Sequence, residues 1–121
     1  MKRILLVDDS PVQLRMLDLL LRDKYEILTS ASGHEGIRYA KKEHPDLILL
    51  DYDMPTMSGK EMFEELQETE DTKDIPVVFL TGVHEREDVA EVLKLRPQAY
   101  LLKPVDQDLL LKTIKKILSE S

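Results

Sequence analysis

The sequence predicts an α/β fold in which one parallel sheet is covered by helices on both sides, and three observations carry that reading. Ile4-Leu5-Leu6-Val7, Leu47-Ile48-Leu49-Leu50 and Val77-Val78-Phe79-Leu80 are short, unbroken apolar runs. Runs of this length, bounded by polar and turn residues, read as strands buried on both faces. The segments between them have helical spacing and helix-start signals, which is the alternation expected of βαβ units. Each run also ends directly on a polar residue.

Element by element, the first strand ends on Asp8-Asp9, and Ser10-Pro11-Val12-Gln13 follows as a capping box with proline at the first helical position. Tyr25 to Ser30 reads as a shorter, less apolar edge strand. Ser32-Gly33-His34-Glu35 and Ser58-Gly59-Lys60-Glu61 repeat the S-x-x-E start before two further helices. The run Glu64 to Asp74 is expected to be a solvated helix end and loop. Ala99 to Leu102 makes a fifth strand. In the last helix, with Asp106 as its cap, Leu110, Ile114, Ile117 and Leu118 share one stripe at i, i+4, i+7 and i+8. Five consecutive βα units joined by right-handed crossovers place helices on both faces of the sheet.

The 121 residues are expected to form one domain over 1–121, with no effector domain attached. Seventeen basic against 24 acidic residues leave a net charge of −7. That balance argues against nucleic-acid binding by this domain, because phosphate contacts need clustered Lys and Arg. The absence of cysteine excludes a disulfide framework and a thiolate zinc site, and suits a reducing cytoplasm. No apolar segment resembles a signal peptide or approaches membrane-spanning length, so membrane insertion is not expected.

In a parallel sheet the strand ends lie on one edge, where ligands bind at the point of strand-order reversal. Asp8, Asp9, Asp51, Thr81 and Lys103 directly follow four of the strands. Five polar side chains are therefore expected to meet in one crevice. Alone, Asp51 would be an ordinary strand-end acid, Thr81 a helix cap and Tyr100 strand filler; the set is what argues for a site. Three acids together would repel, raising the proton affinity of at least one unless a cation intervenes. Mg²⁺, with Mn²⁺ as the alternative ion, suits one or two direct carboxylates plus waters and neutralises a phosphoryl group in transfer. Lys103 offers a positive point charge and Thr81 a hydroxyl donor, with Gly82 leaving room for a ligand. Asp51 becomes a candidate nucleophile that forms a carboxyl–phosphate anhydride. His34, His44 and His84 lack ligand spacing and are read as solvated, and Met54, Met57 and Met62 as packing.

Asp8-Asp9, the D-Y-D-M-P-x-x-x-G stretch from 51 to 59, Thr81-Gly82 and Y-L-L-K-P from 100 to 104 resemble the receiver domain of two-component response regulators. The resemblance runs the length of the chain. It implies strand order 2-1-3-4-5, the flavodoxin-like (βα)5 arrangement. It also implies phosphoryl transfer from a histidine kinase or phosphotransfer protein onto Asp51, followed by a change in the surface that binds an unknown downstream protein. In this family Asp9 would ligate Mg²⁺ directly, Asp8 through water, and Asp51 and the Asp53 backbone carbonyl would complete the protein ligands. Thr81 and Tyr100 resemble the switch pair, and Lys103-Pro104 the site of a cis peptide. Asp53 and Val83, two residues after Asp51 and Thr81, are expected to influence dephosphorylation. The chain departs from the family pattern at Arg96-Pro97, where Gly-Ala is usual, and at Val105, where an aromatic is usual. Two other functions compete. Asp51-Tyr52-Asp53 also matches the D-x-D of haloacid-dehalogenase-type phosphatases, although there it follows the first strand. A receiver-like interaction domain that is never phosphorylated is the third reading.

Overall fold

Five strands and five helices alternate along the chain: β1 (Arg3–Val7), α1 (Pro11–Leu21), β2 (Glu26–Ser30), α2 (Gly33–Glu43), β3 (Leu47–Asp51), α3 (Gly59–Glu68), β4 (Val77–Thr81), α4 (Arg86–Lys94), β5 (Ala99–Leu102) and α5 (Gln107–Ile117). This computed structural model describes residues 1–82 and 86–118. Every strand pair is parallel, and the order is β2-β1-β3-β4-β5. The expected topology is therefore the observed one. Pleating sends alternate residues of each strand to opposite faces. Leu5, Val7, Ile48, Leu50, Val77 and Phe79 pack with Ile37, Met62, Phe63, Leu66 and Val92 of α2, α3 and α4. Ile4, Leu6, Leu47, Leu49, Val78 and Leu80 pack with Leu17, Leu21, Leu110 and Ile114 of α1 and α5. Residues of β1, β3 and β4 thus feed two cores, which is why their runs are continuous rather than alternating. β2 lies at the edge and is correspondingly more polar.

The helix starts are less uniform than their sequences suggest. Ser10, Ser32 and Ser58 each accept a bond from the N–H three residues on, at 3.1–3.2 Å. Only Ser58 closes a full capping box, its own N–H donating to Glu61 Oε1 at 3.1 Å. At the other two starts a residue two places upstream has taken the serine N–H: Asp8 Oδ1 at 2.9 Å and Ser30 Oγ at 3.4 Å. Gln13 and Glu35 therefore have no cap to close. Asp106 caps α5 as expected, accepting from Leu109 N–H at 3.1 Å.

The stretch after α3 is largely solvated, but Thr72 is buried and its hydroxyl donates to Leu66 O at 2.8 Å, pinning the turn. Where the family usually has Gly-Ala, α4 ends with Arg96 in the left-handed region, at φ 55°. Val105 packs, partly buried, beside the α1–α5 core.

Candidate functional site

Register carries the chemistry to one edge. Val7 pairs with Leu50, Asp51 with Leu80 and Thr81 with Leu102, so Asp8 and Asp51 share one level, Thr81 stands one residue beyond it and Lys103 two, all at the same edge of the sheet. Asp8 N–H donates to Ser30 O at 3.1 Å and Lys103 N–H to Thr81 O at 2.8 Å, extending the ladders by one residue on each side. These side chains are consequently held by the sheet rather than by loops.

Carboxylate oxygens of Asp8, Asp9 and Asp51 lie within 4.8 Å of one another. Asp8 is 2% exposed and Asp51 3%, whereas Asp9 is open to solvent. Lys103 Nζ reaches both buried acids, Asp51 Oδ1 at 3.1 Å and Asp8 Oδ2 at 3.3 Å. The Asp53 backbone N–H donates to Asp51 Oδ1 at 3.2 Å, while its carboxylate stays exposed. Both bonds therefore fall on one oxygen of Asp51. Burial, and then the charge of Asp8, raise the Asp51 pKa from 3.8 to about 7, against the lowering effect of Lys103 and Asp53. Burial acts to lower the pKa of Lys103, but its bond to Asp51 and the charges of both acids outweigh that and raise it.

Three carboxylates against one ammonium leave the crevice short of positive charge. A hard divalent ion with oxygen ligands would relieve that imbalance, and Asp8, Asp9 and Asp51 form a donor set that could hold one. Thr81 is buried at the end of β4. Tyr100 does not join the carboxylates: it sits further back on β5, opposite Phe79, partly buried in the layer beside α4. The Lys103–Pro104 peptide is cis. A Cβ at Gly82 would meet nothing within 4 Å, so no protein atom requires glycine there. Val83 and His84 lie outside the described residues. His34 and His44 are exposed, and Met54 and Met62 are buried packing residues.

Two contributors were not read from the sequence. A Cβ on Gly59 would collide with the carbonyl oxygen of Asp51 and come within 2.7 Å of Tyr52 Cα, so α3 starts against the very peptide that carries the acid. The glycine of D-Y-D-M-P-x-x-x-G was the available signal. Thr56 has φ 68°, a left-handed conformation that is strained for a β-branched residue and sits in the loop after Asp51.

Residues 4–115 match the family model of the response regulator receiver domain. The chain belongs to the response regulator receiver domain family. This receiver is 35% identical to protein PilH of Pseudomonas aeruginosa over 120 residues, covering 98% of this chain and 99% of that one. Among solved structures it is similar to chemotaxis protein CheY4 of Vibrio cholerae, with a TM-score of 0.88, 32% identity and coverage of 97% and 98%. It is similar as well to the receiver domain of a sensor histidine kinase from Pseudomonas aeruginosa, which holds a magnesium ion coordinated in its active-site cleft. There the TM-score is 0.90 at 27% identity, covering 98% of both chains. The receiver is thus a phosphorelay signalling switch, and receivers are switches rather than turnover enzymes.

Proposed function

We propose that Asp51 is the phosphoacceptor of this receiver, with Lys103 and Thr81 as the groups that meet the incoming phosphoryl. The carrying observation is the buried acid at the end of β3, held on one oxygen by Lys103 and the Asp53 N–H. Those two bonds orient the carboxylate, and the oxygen that neither engages attacks phosphorus. The phosphorus–nitrogen bond of a phosphohistidine donor breaks as the oxygen–phosphorus bond forms, and the departing imidazole keeps the electron pair. The raised pKa of Asp51 makes it a stronger nucleophile than an ordinary carboxylate once ionised. Asp9, Asp8, Asp51 and the Asp53 carbonyl are the residues we assign to Mg²⁺, with Mn²⁺ as the alternative; when bound, the ion neutralises charge on the transferring phosphoryl.

The donor is a histidine kinase or phosphotransfer protein. An exposed apolar stripe of Val12, Met16 and Leu19 starts three residues after Asp9 and offers that donor a docking face beside the acid. Thr81 and Tyr100 form the switch, altering the α4-β5-α5 surface for a downstream protein. The chain acts in the cytoplasm as one receiver unit over 1–121; among the described residues no helix is long and apolar enough to cross a membrane. A haloacid-dehalogenase-type phosphatase is disfavoured because Asp51-Tyr52-Asp53 follows the third strand, not the first. The test is intact mass after incubation with a small-molecule phosphodonor, with and without Mg²⁺, beside Asp51→Asn. One added phosphoryl group requiring both Mg²⁺ and Asp51 is expected. Sustained phosphodonor turnover without an adduct would favour the phosphatase, and neither adduct nor turnover the silent interaction domain.

A further inference from the structure

Helices α2 and α3 lie side by side on one face of the sheet, with Met62 of α3 filling the space above Gly36 of α2. Their outer surfaces carry opposite charge in continuous stripes. On α2, His34, Arg38, Lys41 and Lys42 recur at i, i+4, i+7 and i+8 and are exposed. The two acids of that helix are only partly exposed, and Glu43 is bridged to Arg3 at 3.2 Å. On α3, Glu61, Glu64, Glu65 and Glu68 recur at i, i+3, i+4 and i+7, all exposed. Its single base, Lys60, is turned towards α4 and pairs with Glu91 at 3.4 Å. Among the described residues no ion pair joins the two stripes within one molecule. In a chain of net charge −7, α2 sets a face of bases and a histidine directly beside an acidic one, whereas the exposed Lys112, Lys115 and Lys116 of α5 lie on the other side of the sheet.

We propose that this face docks a second copy of the chain, with α2 of each copy laid along α3 of the other. The surface supplies its own complement. A two-fold axis running between the two helices and along them superimposes base on acid twice, which is the self-complementary arrangement of a two-fold dimer. An axis across the helices would instead stack α2 on α2 and α3 on α3, with like charges opposed. Exposed ion pairs are individually weak, so the dimer is reversible and salt-sensitive, and its specificity comes from the repulsion of wrong pairings. Docking here leaves α1, α5 and the strand-end edge uncovered, so the acceptor acid stays accessible to its donor.

Sedimentation velocity of the whole chain tests this at up to about 1 mM protein, in about 20 mM and about 300 mM NaCl, where the screening length falls from about 20 Å to about 6 Å. The wild type is expected to shift towards a dimer with concentration in low salt and to be monomeric in high salt. One variant carries Arg38→Glu, Lys41→Glu and Lys42→Glu, making both stripes acidic; the other carries Glu64→Lys, Glu65→Lys and Glu68→Lys, making both basic. Each alone is expected to be monomeric, and their equimolar mixture to associate, because mixing restores both complementary pairings. Circular dichroism verifies that these surface variants are folded. A wild type that stays monomeric in low salt overturns the proposal. So does a mixture no more associated than its components, or an association that survives charge reversal.

Discussion

Asp51 is ionised at a cost. Its carboxyl is buried beside Asp8, and one ammonium serves both. A carboxyl whose pKa is higher folded than unfolded holds its proton longer in the folded chain. Its contribution to stability is complete below about 4 and is lost as pH rises through about 7. Asp51→Asn does not titrate, so it escapes that loss. In chelator, the variant is expected to be more stable than the wild type at pH 8, on the order of 2 kcal/mol, with the difference shrinking towards zero near pH 4. Urea midpoints across that range measure it. A difference independent of pH would mean that Asp51 is not the group carrying the strain. That one of the clustered acids would hold its proton more tightly was expected from the sequence; that it is Asp51 was not, and follows from the depth of the strand end and from Asp8 beside it.

At the scale of elements, two of the glycines in helices have opposite meanings. Alanine is the better helix former by roughly 1 kcal/mol. At Gly36 an added Cβ would meet side-chain ends, Met62 Cε at 2.9 Å and Val7 Cγ2 at 3.1 Å, which can move. At Gly59 it would meet backbone of Asp51 and Tyr52, which cannot move without displacing the acid. Gly59→Ala is therefore expected to destabilise by about 1–3 kcal/mol and to slow phosphorylation at Asp51, while Gly36→Ala costs less and leaves the rate near wild type. Equal costs in urea unfolding, or an unchanged rate in Gly59→Ala, would refute the distinction. The capping serines make a related point. All three S-x-x-E/Q starts were legible and all three caps form, but whether the box closes was not. That depends on whether the residue two places upstream reaches the serine N–H, and at Ser10 that residue is a member of the site.

At the scale of the molecule, the acidic crevice couples ligand binding to folding. A ligand that binds only the folded chain stabilises it by about 2.7 kcal/mol at a hundred times its dissociation constant. Mg²⁺ is expected to raise the unfolding free energy of the wild type by an amount of that order, and by much less in Asp9→Asn. The comparison is made at matched ionic strength, because a chain of net charge −7 gains from screening alone. Equal stabilisation of both proteins by Mg²⁺ would place the ion elsewhere.

The sequence by itself determined which segments are buried strands, that five βα units follow one another, and that acids, a threonine and a lysine stand directly after four of the strands. Those are consequences of short-range periodicity and of chain order, which survive without coordinates. Strand order 2-1-3-4-5 came from the resemblance to receivers, because periodicity does not say which strands are neighbours. Only the tertiary structure decided that Lys103 bridges Asp8 and Asp51, that Asp51 is driven towards neutrality, and that Tyr100 sits behind the site rather than in it. Register, depth of burial and side-chain reach govern those outcomes, and all three depend on residues distant in sequence arriving at the same edge of the sheet.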